Sequence, residues 1–208
     1  MLLSFADKDL PDDLPINKIQ VIGSHNSYKR AIDPALFRMF QHRDSVGASK
    51  LDYEHIPLDQ QLDMGLLNLE IDCYVDEKGG RYAHPKGLDW AKGQAAYDPD
   101  GVMNEPGFKI LHIPDLDFRS DALTLKQCLR ELRTWSDKHP DHYPVFITLE
   151  PKDGITHEKE EEKDLTESEP YTPAVFNELD RALEDGLGKE HLIMPDRVRG
   201  QYATLEEA

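Results

Sequence analysis

Apolar residues along this chain fall into two rhythms. Four compact runs read as buried strands: Lys18 to Gly23, Leu66 to Tyr74, Phe108 to His112 and Pro144 to Glu150. The third follows the breaker Pro106-Gly107, and Pro151 ends the fourth. Elsewhere the spacing lengthens to that of a helix. Leu58 and Leu62 share a face before a stop at Gly65, and Leu125, Cys128, Leu129 and Leu132 repeat at i, i+3, i+4 and i+7 within Thr124 to Trp135. A third helix is predicted from Pro173, a first-turn proline, to Leu183, ending near Gly186. Strands alternating with helices imply parallel β/α units and an α/β fold class. Residues 85–105 have little periodicity and several breakers, which predicts a long loop, and long loops in compact domains are often functional. Tyr202 to Ala208 reads as a new helix capped by Thr204, an odd place for a domain to stop.

Composition narrows the class without changing the fold. The 208 residues suffice for one domain with a substantial core, or slightly more. With 38% hydrophobic and 31% charged residues, and no apolar run of membrane-spanning length, the chain reads as a soluble globular protein. The opening MLLSFADKDLPDD turns acidic by Asp7 and does not read as a signal peptide; residues 1–17 are taken as an extension ahead of a domain at 18–208. A net charge of −17 argues against a nucleic-acid partner and against simple electrostatic adhesion to anionic lipid. It fits a protein that works in solution or collects divalent cations. Part of the charge lies in an acidic stretch at 156–169, read as a solvated loop. Cys73 and Cys128 lack metal-ligand spacing and read as free, partly buried thiols.

The strand ends carry residues that an ordinary strand does not need. The first runs into His25-Asn26, the second contains Glu70-x-Asp72, the third ends at His112 and the fourth at Glu150. Alternate residues of a strand share a face, so Glu70 and Asp72 are neighbours. Two buried carboxylates side by side raise one pKa unless a cation neutralises them. With Asn26 and Glu150 they form a hard oxygen set suited to Ca²⁺ or Mg²⁺ rather than zinc. Taken singly, each has a plainer reading: a salt-bridged pair, an incidental histidine, a capping carboxylate. Their recurrence at four successive strand ends favours a site, since the C-terminal strand ends of a β/α barrel form the active-site rim.

These residues bring a family into view. Ser24-His-Asn-Ser-Tyr28 resembles the first-strand motif of phosphoinositide-specific phospholipase C, and Leu69-Glu-Ile-Asp-Cys73 resembles its second-strand Glu-x-Asp-Cys motif. Pro144 to Glu150 resembles the strand ending in a calcium-binding glutamate. Gly107 to Arg119 departs from the animal enzymes and looks like the bacterial and fungal calcium-dependent branch. The resemblance runs from about Lys18 onward and implies the first half of a TIM-type β/α barrel. It implies one Ca²⁺ on Asn26, Glu70, Asp72 and Glu150, and catalytic histidines His25 and His112. The implied reaction is attack of an inositol 2-hydroxyl on phosphorus, releasing diacylglycerol and a cyclic inositol phosphate. Lys152 is the candidate to add positive charge at the phosphate.

The implied substrate is a phosphoinositide lipid or related phosphodiester met at a membrane surface, with a secreted or cell-envelope setting. His84, fourteen positions after Glu70, rivals His112; His112 is preferred because it ends an apolar strand, whereas His84 follows Gly79-Gly80 and precedes a proline. Two other readings stay open. A glycerophosphodiester phosphodiesterase shares the Glu-x-Asp pair but usually has His-Arg-Gly where this chain has His25-Asn26-Ser27. The other is an inactive calcium-binding fragment, because residues after Tyr171 cannot supply four more strands. On that account the chain alone is expected to self-associate.

Overall fold

A computed structural model describes residues 15–154 and 165–207. Most of the N-terminal extension and residues 156–164 of the acidic stretch lie outside the described residues. Three parallel strands form the centre. β1 (Gly23–Ser24) pairs with one edge of β2 (Asn68–Asp76), and β4 (Phe146–Pro151) pairs with the other over six residues, with Asp72 opposite Glu150. β1 approaches β2 so closely that a side chain at Gly23 would strike the Asn68 carbonyl.

The alternation of β2 is preserved, with both faces buried. Leu69, Ile71 and Cys73 enter the main core, while Glu70, Asp72 and Tyr74 line the opposite face. The core is closed by helices whose apolar stripes were legible: α3 (Leu58–Asp63), α5 (Leu125–Lys138) and α6 (Pro173–Leu187). In α5, Thr124 and Gln127 form a capping box that fixes the start. Cys73 and Cys128 are both free and buried there.

The third strand needs correction. Only Gly107–Lys109 is extended (β3), and it runs antiparallel to the far end of β2 through Tyr74, Val75 and Asp76. Ile110 and Leu111 are buried, so the apolar run is real, but it fills two core clusters instead of building a barrel strand. β4 therefore sits directly beside β2, and among the described residues the sheet does not close on itself.

Other differences are local. Ile16–Lys18 is a 3-10 turn, and the predicted first strand shrinks to Gly23–Ser24. Helix α6 runs through Gly186, which packs against Leu129, and stops only at Gly188. α1 (Pro34–Arg43), α2 (Ser45–Leu51), the short α4 (Gly87–Trp90) and α7 (Pro195–Arg199) were not read from periodicity. Each is either weakly amphipathic or very short, and α1 and α2 are set by Asp33 and Asp44 caps. The C-terminal residues Tyr202–Glu207 are turns, not a helix, although Thr204 Oγ1 accepts from the Glu207 amide at 3.2 Å as a cap would. Among the described residues, no helix is long and apolar enough to cross a membrane.

Candidate metal and acid–base site

The end of β2 and the loop after β1 are locked together by backbone chemistry. Asn26 adopts a left-handed conformation (φ 51°), which aims its amide at Glu70 Oε2 at 2.6 Å. The Ser27 amide donates to the Glu70 carbonyl at 2.9 Å, and the Glu70 amide donates to Ser27 Oγ at 2.9 Å. Buried Gln61 of α3 holds the same loop by donating to the Ser27 carbonyl at 2.7 Å. The Asn26 side chain is engaged at both ends: its Nδ2 donates to Tyr53 Oη at 2.7 Å, and its Oδ1 accepts from Tyr28 Oη at 3.1 Å.

The in-register pairing of β2 and β4 then delivers Glu150 to this pair. One ligand atom each from Glu70, Asp72 and Glu150 lies within 4.8 Å of the others. Glu70 Oε1 and both Asp72 oxygens are buried without an aligned hydrogen bond. Such orphaned oxygens are costly unless a cation meets them. Lys152 supplies part of that charge, its Nζ 3.2 Å from Asp72 Oδ2 and 2.9 Å from Glu150 Oε1. The lysine expected to face a phosphate thus pairs with the carboxylates in this structure.

The carboxylates respond differently to this setting. Burial pushes Asp72 up to about 7, against the pull of Lys152 and Tyr28 and with a smaller push from Glu70. Repulsion between neighbours was the expected cause, but removal from water is the larger one. The hydrogen bond from Lys152 holds Glu150 below the usual carboxylate range, and His25 adds a small pull in the same direction. His25 is exposed, and its carbonyl accepts from His55 Nε2 at 2.9 Å.

His112 sits across a tight turn. Ile113 and Asp117 bridge the turn, and Asp115 at its tip is left-handed (φ 69°), with its carboxylate receiving the Lys86 and Thr166 amides. This fold-back brings Asp117 Oδ2 to 2.8 Å from His112 Nδ1. The His112 carbonyl accepts from Tyr74 Oη at 2.8 Å, tying the turn to the Glu70–Asp72–Tyr74 face of β2. His112 is 18% exposed, whereas rival His84 is 68% exposed and pairs with solvent-facing Asp89.

Sequence reasoning missed Asp117 and Lys29. Their only signals were the His112-x4-Asp117 spacing and a lysine just after the first motif, both too common to stand out.

Comparison with known proteins decides the family at this point. Residues 14–208 match the family described as phosphoinositide phospholipase C, Ca²⁺-dependent. The chain belongs to that family. Similar solved structures include the calcium-dependent phosphoinositol-specific phospholipase C of a Gram-negative Pseudomonas species. Its apo form is 17% identical with a TM-score of 0.50, covering 92% of this chain and 48% of that one. Its myo-inositol complex is 18% identical with a TM-score of 0.50, covering 92% and 49%. The chain therefore spans about half the length of these structures, which share its fold. No curated protein matches it.

Proposed function

We propose that this chain carries the metal-binding and acid–base half of a Ca²⁺-dependent phosphodiesterase acting on phosphatidylinositol-type phosphodiesters. The observation that carries the reading is the convergence of Glu70, Asp72 and Glu150 at the mouth of a parallel sheet, with Glu70 Oε1 and Asp72 Oδ1 buried without an aligned hydrogen bond. Hard, anionic oxygen donors fit Ca²⁺. Glu70, Asp72, Glu150 and the Asn26 side-chain oxygen would hold it, and when bound it would acidify the attacking hydroxyl and offset charge on the phosphate.

The remaining roles belong to the chain itself. Glu70 Oε2 is fixed by the Asn26 amide, which leaves Oε1 free to accept the proton of the inositol 2-hydroxyl. That oxygen attacks phosphorus, the bond from phosphorus to the glycerol oxygen breaks, and His112, as the imidazolium with its Nδ1–H on Asp117, gives its Nε2 proton to the departing oxygen and is left neutral. The products are diacylglycerol and a cyclic inositol phosphate. His25 and Lys152 contribute positive charge at the non-bridging oxygens, Lys152 after release from its carboxylate partners.

A second reading has its own observation. The inner face of β4 is open to solvent at Thr148 and Glu150, and the chain covers about half of the matched structures. On that reading this half binds Ca²⁺ without turning over substrate. Phosphodiesterase assays on phosphatidylinositol and glycerophosphocholine, with and without chelator, separate the readings. Chelator-sensitive cleavage of phosphatidylinositol alone supports the proposal. Cleavage insensitive to chelator contradicts it, and calcium binding without cleavage favours the second reading.

A further inference from the structure

A fully buried lysine sits midway between the candidate proton donor and the candidate metal ligands. Lys29 Nζ donates to the carbonyls of Tyr53 at 2.7 Å and Leu51 at 3.1 Å, with Arg30 at 3.4 Å, and lies 4.5 Å from the centre of the Tyr53 ring. Its ion-pair partner is Asp117, whose Oδ1 is 3.4 Å away; both side chains have no exposed surface. Asp117 Oδ2 holds His112 Nδ1, and Tyr53 Oη on the other side accepts from Asn26, whose amide binds Glu70. A continuous chain of contacts thus runs from His112 through Asp117, Lys29, Tyr53 and Asn26 to Glu70.

Burying an ion pair costs several kcal/mol before any return, so such a pair survives where good geometry and hydrogen bonds offset the cost. Here the carbonyls satisfy the ammonium, while Asp117 Oδ1 receives no aligned hydrogen bond. The ammonium is therefore a fixed charge that orients the carboxylate. A carboxylate can only accept, so His112 must donate from Nδ1, which leaves Nε2 as the outward atom.

We infer that Asp117 and Lys29 are positioning residues that lock the His112 ring with its Nδ1–H on Asp117 and present Nε2 to the leaving group. The inference rests on the assignment of His112 as proton donor, but its ring geometry can be measured without turnover. Asp117→Asn keeps the shape and reverses the logic. The Lys29 ammonium draws the amide oxygen, the NH₂ group faces His112 Nδ1, and the ring proton is driven to Nε2.

Nuclear magnetic resonance of the ¹⁵N-labelled full chain reads this directly. The neutral His112 ring is expected to be protonated at Nδ1 in the parent protein and at Nε2 in Asp117→Asn. A parent ring protonated mainly at Nε2, or an unchanged tautomer in the variant, overturns the inference. Lys29→Met should give a mixture of tautomers, and Lys29→Arg should restore the single form. If Lys29→Met fails to fold, the Asp117→Asn result decides alone. Where the parent is active, Asp117→Asn removes the carboxylate that stabilises the doubly protonated donor ring, and should slow phosphatidylinositol cleavage by roughly 100-fold and a nitrophenyl phosphodiester far less. Equal loss on both substrates would mark a purely structural role and overturn the inference. A parent chain that cleaves neither substrate counts against the proposed function, while the ring measurement still tests the positioning.

Discussion

Asp72 and Glu150 stand opposite each other in one register, yet the strands that carry them differ. β2 is hydrogen-bonded on both edges and buried on both faces, and Asp72 is 0% exposed with its pKa pushed up to about 7. β4 is described with a single partner, its inner face is open, and Glu150 is 52% exposed with its pKa held low by Lys152. One wall of the candidate metal centre is thus prebuilt at a desolvation cost that Lys152 offsets only in part and that a cation would relieve further. The other wall shares the same lysine and is also open to water. The buried wall should therefore dominate metal affinity.

Three perturbations bear on that contrast. The largest effect is expected from the buried wall: Glu70→Gln or Asp72→Asn should weaken Ca²⁺ binding roughly 100-fold, because ligand charge count sets affinity in such sites. Glu150→Gln should cost only about 10-fold, since solvent screens its charge. Equal losses on the two strands, read by calcium titration, would remove the distinction.

The edge of β4 with no partner among the described residues should show itself in association. β4 adjoins an apolar groove of about 690 Å³ lined by Val145, Ile147, Leu149, Leu183, Leu187 and Ile193, among others. Open strand edges and apolar faces template pairing. Sedimentation of this chain alone should show concentration-dependent self-association, and a monodisperse monomer at all concentrations would contradict it.

The smallest effect lies away from the site and tests the same principle of uncompensated burial. Burial pushes Asp121 up to about 6, against the pull of Arg30 and with smaller pushes from Glu131, Glu54 and Asp59. A folded pKa above the unfolded value means that its contribution is present below about pH 4 and is lost as pH rises through about 6. Asp121→Asn should thus be neutral near pH 4 and stabilising by roughly 1 kcal/mol at pH 8, allowing for the Arg30 contact it weakens. Melting curves at the two pH values check this; a variant destabilised at pH 8 would show that the Arg30 pairing wins.

How much of this was legible follows from the range of each interaction. Glu70, Asp72 and Glu150 could be read because strand alternation and strand ends are local patterns, and the structure brings their ligand atoms together. The helices α3, α5 and α6 were readable for the same reason. The path of Phe108–His112 was not, because an apolar run looks the same whether it forms a parallel barrel strand or an antiparallel spur that then fills the core. The pairing of Lys152 with Asp72 was not legible, because the two meet only through the β2–β4 register. Asp117 and Lys29 were invisible because their partnership depends on the turn at Asp115 and on the loop near Tyr53.

The central claim is that Glu70 and Asp72, not the exposed acidic surface, form a Ca²⁺ site. Calorimetric titration of Ca²⁺ into the chain at near-physiological ionic strength tests it most directly. The account predicts one saturable site per chain that is lost in Glu70→Gln and survives neutralisation of the exposed Asp89 and Glu206. Absence of saturable binding, or binding that persists undiminished in Glu70→Gln, would contradict it.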